Sequence, residues 1–74
     1  MDINYEKTVG EKIRRHRIKS NLTQEQLSAK LQVLGCDITR SAMAKIEVGQ
    51  RHIYVDELKA LKSILKVKYE DILD

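Results

Sequence analysis

The chain has no proline, no tryptophan and no phenylalanine, and only three glycines and one cysteine in 74 residues. Without proline and with so little glycine it lacks the punctuation that many tight turns require. That disfavours a β-sandwich, and it disfavours collagen-like or linker sequence as well. Cys36 is the single cysteine, so it forms no internal disulfide, and no residues around it have metal-ligand spacing. No stretch approaches the roughly 20 apolar residues that a membrane span needs. The opening Met1-Asp2-Ile3-Asn4-Tyr5-Glu6 is acidic and has no apolar core, so it does not read as a signal peptide. The expectation is a cytoplasmic protein, with the ends of a whole small protein or a trimmed domain, and with no membrane partner, cofactor or small-molecule ligand.

What remains is 42% hydrophobic and 34% charged, the balance of a soluble, amphipathic, helical chain. At this length one core buries only about 60% of the unfolded surface, which leaves no room for a deep substrate cavity or a second domain. We therefore expect one domain over 1–74, with residues 1–7 as a flexible arm. The net charge of +3 is modest but unevenly spread. Residues 7–20 carry six cations against Glu11, a net of +5, and residues 39–52 carry three against Glu47, a net of +2. The intervening and flanking pieces are each slightly negative. Two basic stretches of this kind suit a surface that meets a polyanion, although a plain solvated helix face has the same composition.

Helix signals are dense. Thr8-Val9-Gly10-Glu11 has the spacing of a capping box and opens a helix to about residue 19, with Val9, Ile13 and Arg17 on one stripe and Ile18 beside it. Ser20-Asn21 ends it, because asparagine tolerates the left-handed backbone that closes helices. Leu22 follows as a staple. Thr23-Gln24-Glu25-Gln26 is a second capping box, and its helix carries Leu27, Leu31 and Leu34 before Gly35 stops it. Cys36-Asp37-Ile38 connects to a third helix, capped by Thr39, running from Arg40 to about Val48 with Ala42, Met43 and Ile46 inward and Gly49 as its stop. A fourth helix over about 55–65 turns Leu58, Leu61 and Leu65 inward, with Ile64 flanking. A fifth over about 69–73 adds Ile72 and Leu73. The fold class is all-α, five helices in one compact unit.

Catalysis is not indicated. The chain has no nucleophile–base pair, no carboxylate dyad, no phosphate-cradling glycine loop and no metal-ligand spacing. His16 and His52 are too isolated to form a metal pair. Tyr5, Tyr54 and Tyr69 are not interleaved with cations as a single-strand stacking platform would be. The expectation is not an enzyme and not a metalloprotein.

Two short helices capped at Thr23 and Thr39 and joined by a turn containing Gly35 make a helix-turn-helix, in which the second helix enters a DNA major groove. Its companions give that arrangement specificity. Arg17, Leu22-Thr23-Gln24-Glu25-Gln26-Leu27, Ala42-Met43-Ala44-Lys45-Ile46-Glu47, Gly49-Gln50-Arg51 and Val67 through Tyr69-Glu70-Asp71-Ile72-Leu73 occur in a distinctive order. In these residues the chain resembles the Cro/CI-type, lambda-repressor-like helix-turn-helix family of DNA-binding regulators (the XRE family).

The resemblance implies a role for each matching position. Gln24 would touch a DNA phosphate with its amide. Thr39, Arg40 and Ser41 would open the recognition helix, Arg40 reading guanine O6 and N7 and Ser41 bonding a base or the backbone. Thr39 as a cap alone is an equal alternative. Ala44 would meet a thymine methyl, and Lys45 a base or the groove-edge phosphate. Arg51 and the backbone amides around Gln50 would clamp flanking phosphates, with His52 assisting. Arg17 and Glu47 would form a partly buried salt bridge joining the first helix to the recognition helix. Double-stranded DNA is the implied partner. One small module makes few base contacts, so a homodimer on a near-palindromic operator, acting as a repressor, is the expected form. The alternative is an antitoxin-like or anti-regulator module that uses the same fold to bind protein.

Three positions depart from the family pattern. Seven residues separate Leu31 from Thr39, more than usual, which is read as an extra turn on the second helix; a recognition helix starting at Asp37 is the other register. Ser28 stands where the family prefers alanine, and Val48 where it prefers asparagine.

Overall fold

The computed structural model describes residues 3–74. Five helices follow one another, α1 (Ile3–Lys19), α2 (Gln24–Val33), α3 (Arg40–Glu47), α4 (Val55–Leu65) and α5 (Tyr69–Leu73), with no strand among the described residues. Helices α2 and α3 start where their capping signals place them, and α4 and α5 start at the residues expected from the apolar pattern. The first does not. Helix α1 begins at least five residues before Thr8, so Thr8 sits inside it and its hydroxyl donates to the Asn4 carbonyl (2.9 Å) instead of capping. Residues 3–7 of the expected arm are therefore helical, and Met1 and Asp2 lie outside the described residues. Tertiary contacts account for the extension. The Tyr5 hydroxyl donates to the Leu73 carbonyl (2.7 Å) and Glu6 pairs with His52, while further along α1 Lys12 Nζ donates to the Asp74 carbonyl.

The helices α1 to α4 close in one way. After each, a residue with left-handed φ lets two N–H groups turn back on the final carbonyls. The left-handed residues are Asn21 (φ 59°), Gly35 (87°), Gly49 (78°) and Lys66 (56°). The longer-range bonds are Leu22 N–H to Arg17, Cys36 N–H to Leu31, Gln50 N–H to Lys45 and Val67 N–H to Lys62 (2.8–3.2 Å). Asparagine and glycine announce three of these stops in the sequence. Lys66 does not, because a β-carbon in this conformation is stabilised only by its surroundings.

Val9 and Ile13 of α1, Leu27 and Leu31 of α2, Met43 and Ile46 of α3, Leu61 and Leu65 of α4 and Ile72 of α5 form one core. One expected core position, Leu34, is about half exposed because it falls on the turn after α2 ends, and Ile18, read as lying beside the α1 stripe, is half exposed as well. Cys36 and Ile38, read from sequence as connector, are buried instead. The longer α2–α3 connection is anchored through them. Ser28 Oγ donates to the Ile38 carbonyl (2.5 Å), and Gln32 Nε2 reaches the same carbonyl (3.2 Å). The hydroxyl that replaces the family's alanine thus ties down the extra turn.

Helices α1 and α3 approach closely at Gly10. A β-carbon there would meet the Ile46 carbonyl oxygen at 2.3 Å and the Glu47 carbonyl oxygen at 2.9 Å, both backbone atoms. Gly10→Ala should therefore force the two helices apart at a cost of about 1–3 kcal/mol. At about 4–8 °C per kcal/mol for a domain of this size, circular dichroism melting should show a clear fall in midpoint. An unchanged midpoint would mean that the helices do not meet at this position.

Candidate nucleic-acid interface

Thr39 sits in extended backbone, and its Oγ1 accepts from the Ala42 N–H (3.1 Å). This cap fixes Arg40 as the first residue of α3 and removes the register that would start at Asp37. Met43, Ile46 and Glu47 face the interior, which leaves Arg40, Ser41 and Lys45 exposed and Ala44 half-buried on the outer side. The spacing i, i+1, i+4, i+5 keeps these four on one helical face.

Helix α2 brings its positive end to the same place. The Thr23 hydroxyl accepts from the Gln26 N–H (3.0 Å), and the Gln26 side chain accepts from the Thr23 N–H (2.9 Å), completing the capping box. An open hollow lined by Arg17, Thr23, Gln24, Glu25 and Arg40 joins the starts of α2 and α3. A helix N-terminus beside an exposed guanidinium favours a bound anion.

Below this hollow lies the ion pair expected from the sequence. Arg17 Nε donates to Glu47 Oε2 (2.7 Å) and Nη2 to Oε1 (3.1 Å), a bidentate pair, with side chains 10% and 1% exposed. Arg17 Nη1 also donates to the Leu22 carbonyl (2.8 Å), and Gln24 Nε2 donates to Glu47 Oε1 (3.0 Å). One buried carboxylate thereby links α1, α2 and α3. Removing one partner of a buried pair strands the other charge, at about 3–5 kcal/mol. Glu47→Ala should accordingly lower the melting midpoint by well over 10 °C; a superimposable melting curve would contradict the structural weight given to the pair.

The loop after α3 is more occupied than its sequence indicates. The Gly49 and Gln50 N–H groups are spent on the carbonyls of Ile46 and Lys45, so these two backbone amides do not point outward as expected. The Gln50 side chain remains exposed. Arg51 donates bidentately to Glu57 (2.9 and 3.0 Å) and to the His52 carbonyl, and its guanidinium lies 5.8 Å from the Tyr54 ring centre. His52 Nδ1 pairs with Glu6 Oε1 across from α1. Sequence reasoning missed Glu57 and Glu6. Glu57 stands three residues after Tyr54 and accepts its N–H (3.0 Å), but tyrosine at the cap position gives no warning of a capping carboxylate.

The Arg51 hydrogen bonds hold the Glu57 carboxyl below its ordinary value of 4.5, against the opposing effect of burial and with help from the Tyr54 N–H. A depressed carboxyl contributes stability that is complete above its ordinary value and is lost as pH falls through the folded value. Melting of the wild-type chain between pH 6 and pH 2 should therefore show an acid-sensitive limb below about pH 4.5 to which this pair contributes. Arg51→Ala should lower the midpoint at pH 6 and flatten that limb, and a parallel shift at every pH would remove the pair from the account.

Nothing in the described residues forms a cluster that could hold a metal ion, and no described helix is long and apolar enough to cross a membrane. Burial, with Asp56 and Glu57 near, pushes the Cys36 thiol up and away from the thiolate form.

The family model described as helix-turn-helix matches residues 13–72, the span that holds the capped helices α2 and α3, the exposed cationic face of α3 and its buried Arg17–Glu47 tie to α1. The chain belongs to the helix-turn-helix family of the Cro/CI type. Members of this family are DNA-binding regulators, and the helix-turn-helix of this chain is α2 with α3. Among curated proteins it is similar to the control protein C.BamHI of Bacillus amyloliquefaciens, 35% identical over 66 residues, which span 88% of this chain and 75% of that one. Among solved structures the crystal structure of the DNA-binding domain of BldD superposes with a TM-score of 0.83 over the whole of both chains. At 24% identity that likeness establishes the helix-turn-helix fold.

Proposed function

We propose that this helix-turn-helix chain reads a double-stranded operator as a homodimer and represses transcription by occupying it. The observation that carries this reading is the division of α3. Its inner side is locked into the core by Met43, Ile46 and Glu47, and its outer side offers Arg40, Ser41 and Lys45 beside the capped start of α2. A helix held this way enters the major groove with its amino end towards the bases.

In that pose Arg40 donates bidentately to guanine O6 and N7, Ser41 bonds a base or phosphate, Ala44 contacts a thymine methyl, and Lys45 reaches a base or the groove edge. Gln24 takes a phosphate at the start of α2, where the helix dipole adds to its amide. Thr39 holds the register as cap. On the flank, Gln50 uses its side chain. Arg51 and His52, both already engaged by carboxylates, have fewer donors left for the flanking phosphates. A single copy supplies few base contacts, each worth about 1–3 kcal/mol, so two copies on half-sites about 34 Å apart give the specificity that a regulator needs. The likeness to a control protein supports a regulatory role.

Selection of operators from random duplex DNA, followed by mass measurement of the complex, tests the target and the stoichiometry together. The expected result is a near-palindrome bound by two chains, with affinity falling as salt rises. Arg40→Ala should cost about 1–3 kcal/mol and relax preference at one base position in each half-site. Failure of the wild-type chain to bind any duplex at low salt would transfer the fold to a protein partner instead.

A further inference from the structure

Glu47 has more work in the structure than the salt bridge requires. Arg17 alone would neutralise it, yet its Oε1 also accepts a hydrogen bond from Gln24 Nε2 (3.0 Å), 23 positions earlier on a different helix. We propose that Glu47 is a positioning residue for DNA contact, acting through Gln24: the buried carboxylate decides which way round the Gln24 amide sits. The inference rests on the reading of this chain as a DNA binder and adds to it how one contact is aimed.

The argument is one of donors and acceptors. A glutamine amide has an oxygen that only accepts and a nitrogen with two N–H groups that only donate. The two ends are nearly the same size, so packing scarcely distinguishes them. A carboxylate does distinguish them. Facing Glu47, the nitrogen forms a charge-assisted bond, whereas the oxygen would set two acceptors against each other. With one N–H of Gln24 given to Glu47, the second N–H on the same nitrogen remains for another acceptor, and Gln24 lines the hollow between α2 and α3 alongside Thr23 and Arg40. A phosphate oxygen accepts and never donates, so a flipped amide would meet the phosphate with the wrong atom.

Arg17 makes the arrangement affordable. A lone carboxylate beneath a surface that faces a polyanion would repel it, but the two hydrogen bonds from Arg17 neutralise the charge and hold the plane of the carboxylate. Arg17 also fixes the chain entering α2 through the Leu22 carbonyl, so the carboxylate, the amide and the start of α2 move as one body. A purely electrostatic account and the positioning account therefore predict opposite signs for removal of the Glu47 charge. Electrostatics alone predicts tighter DNA binding.

A double-mutant cycle with the full chain and a mixed-sequence DNA duplex tests this, because a phosphate contact does not depend on sequence. Gln24→Met removes the amide and leaves Arg17 and Glu47 paired. Glu47→Gln removes the charge that sets the amide. Each should weaken binding about fivefold, the equivalent of one hydrogen bond, and the double variant should be no weaker than either single variant. Losses that multiply to about 25-fold, or tighter binding by Glu47→Gln, would overturn the proposal. Should Glu47→Gln melt below the assay temperature, the side-chain amide signals of Gln24 in the wild-type chain decide. A Nε2 proton shifted from its free-glutamine position and protected from exchange supports the positioning role, and two Nε2 protons at free-glutamine positions that exchange rapidly overturn it. A wild-type chain that binds no duplex sinks the DNA reading itself, whereas one that binds while the two losses multiply sinks only this proposal.

Discussion

The Arg17–Glu47 pair is the constraint on which the rest of the interface depends. A bidentate guanidinium–carboxylate pair is directional, so it fixes the mutual orientation of the elements that carry it as well as their separation. Here those elements are the last turn of α1 and the last residue of α3, and the remaining donors of Arg17 and the remaining capacity of Glu47 extend the tie to Leu22 and Gln24. The close approach at Gly10 is its steric counterpart, since α1 and α3 can come near enough for the ion pair only where one helix has no side chain. Apolar burial supplies most of the favourable free energy of the fold. It is non-directional, however, and would tolerate several settings of α3. The ion pair selects one.

Net charge has little part in this. Of the six cations in residues 7–20, Arg17 is buried and committed to Glu47, and Lys12 reaches the C-terminal Asp74 carbonyl. In residues 39–52, Arg51 is held by Glu57, leaving Arg40 and Lys45 as the cations directed outward from α3. A basic stretch in sequence thus divides into cations that build the molecule and cations that are available to a partner. Only the latter contribute to counterion release when DNA binds.

The helix boundaries were legible wherever a local signal dominates. Thr23 with Gln26, Thr39, Asn21, Gly35 and Gly49 act within one turn of themselves, and the structure places helix ends at each. Thr8 with Glu11 carries the same pattern and is silent, because Tyr5 and Glu6 find partners on α5 and the α3–α4 loop that carry α1 back to Ile3. Ile38 and Cys36 were hidden for a related reason. A connector is read as surface unless something buries it, and the Ser28 and Gln32 bonds to the Ile38 carbonyl are non-local. At the interface, the outward face of α3 follows from periodicity alone. The occupation of Arg51 by Glu57 and of His52 by Glu6 does not, since each pairing crosses between elements whose relative placement only the fold defines.

By itself, the sequence determined an all-helical chain, left the third helix to start at Arg40 or at Asp37, and placed Arg17 on the apolar stripe of the first helix, while the pairing of Arg17 with Glu47 came from the family resemblance. Capping, left-handed stops and the 3.6-residue period are properties of neighbouring residues, so they survive without tertiary context. The tertiary structure decided how far α1 extends, which cations remain for a partner, and which way the Gln24 amide is held. Each of these depends on groups far apart in the chain meeting in a low-dielectric interior, where a hydrogen bond or charge pair is strong and its absence is costly.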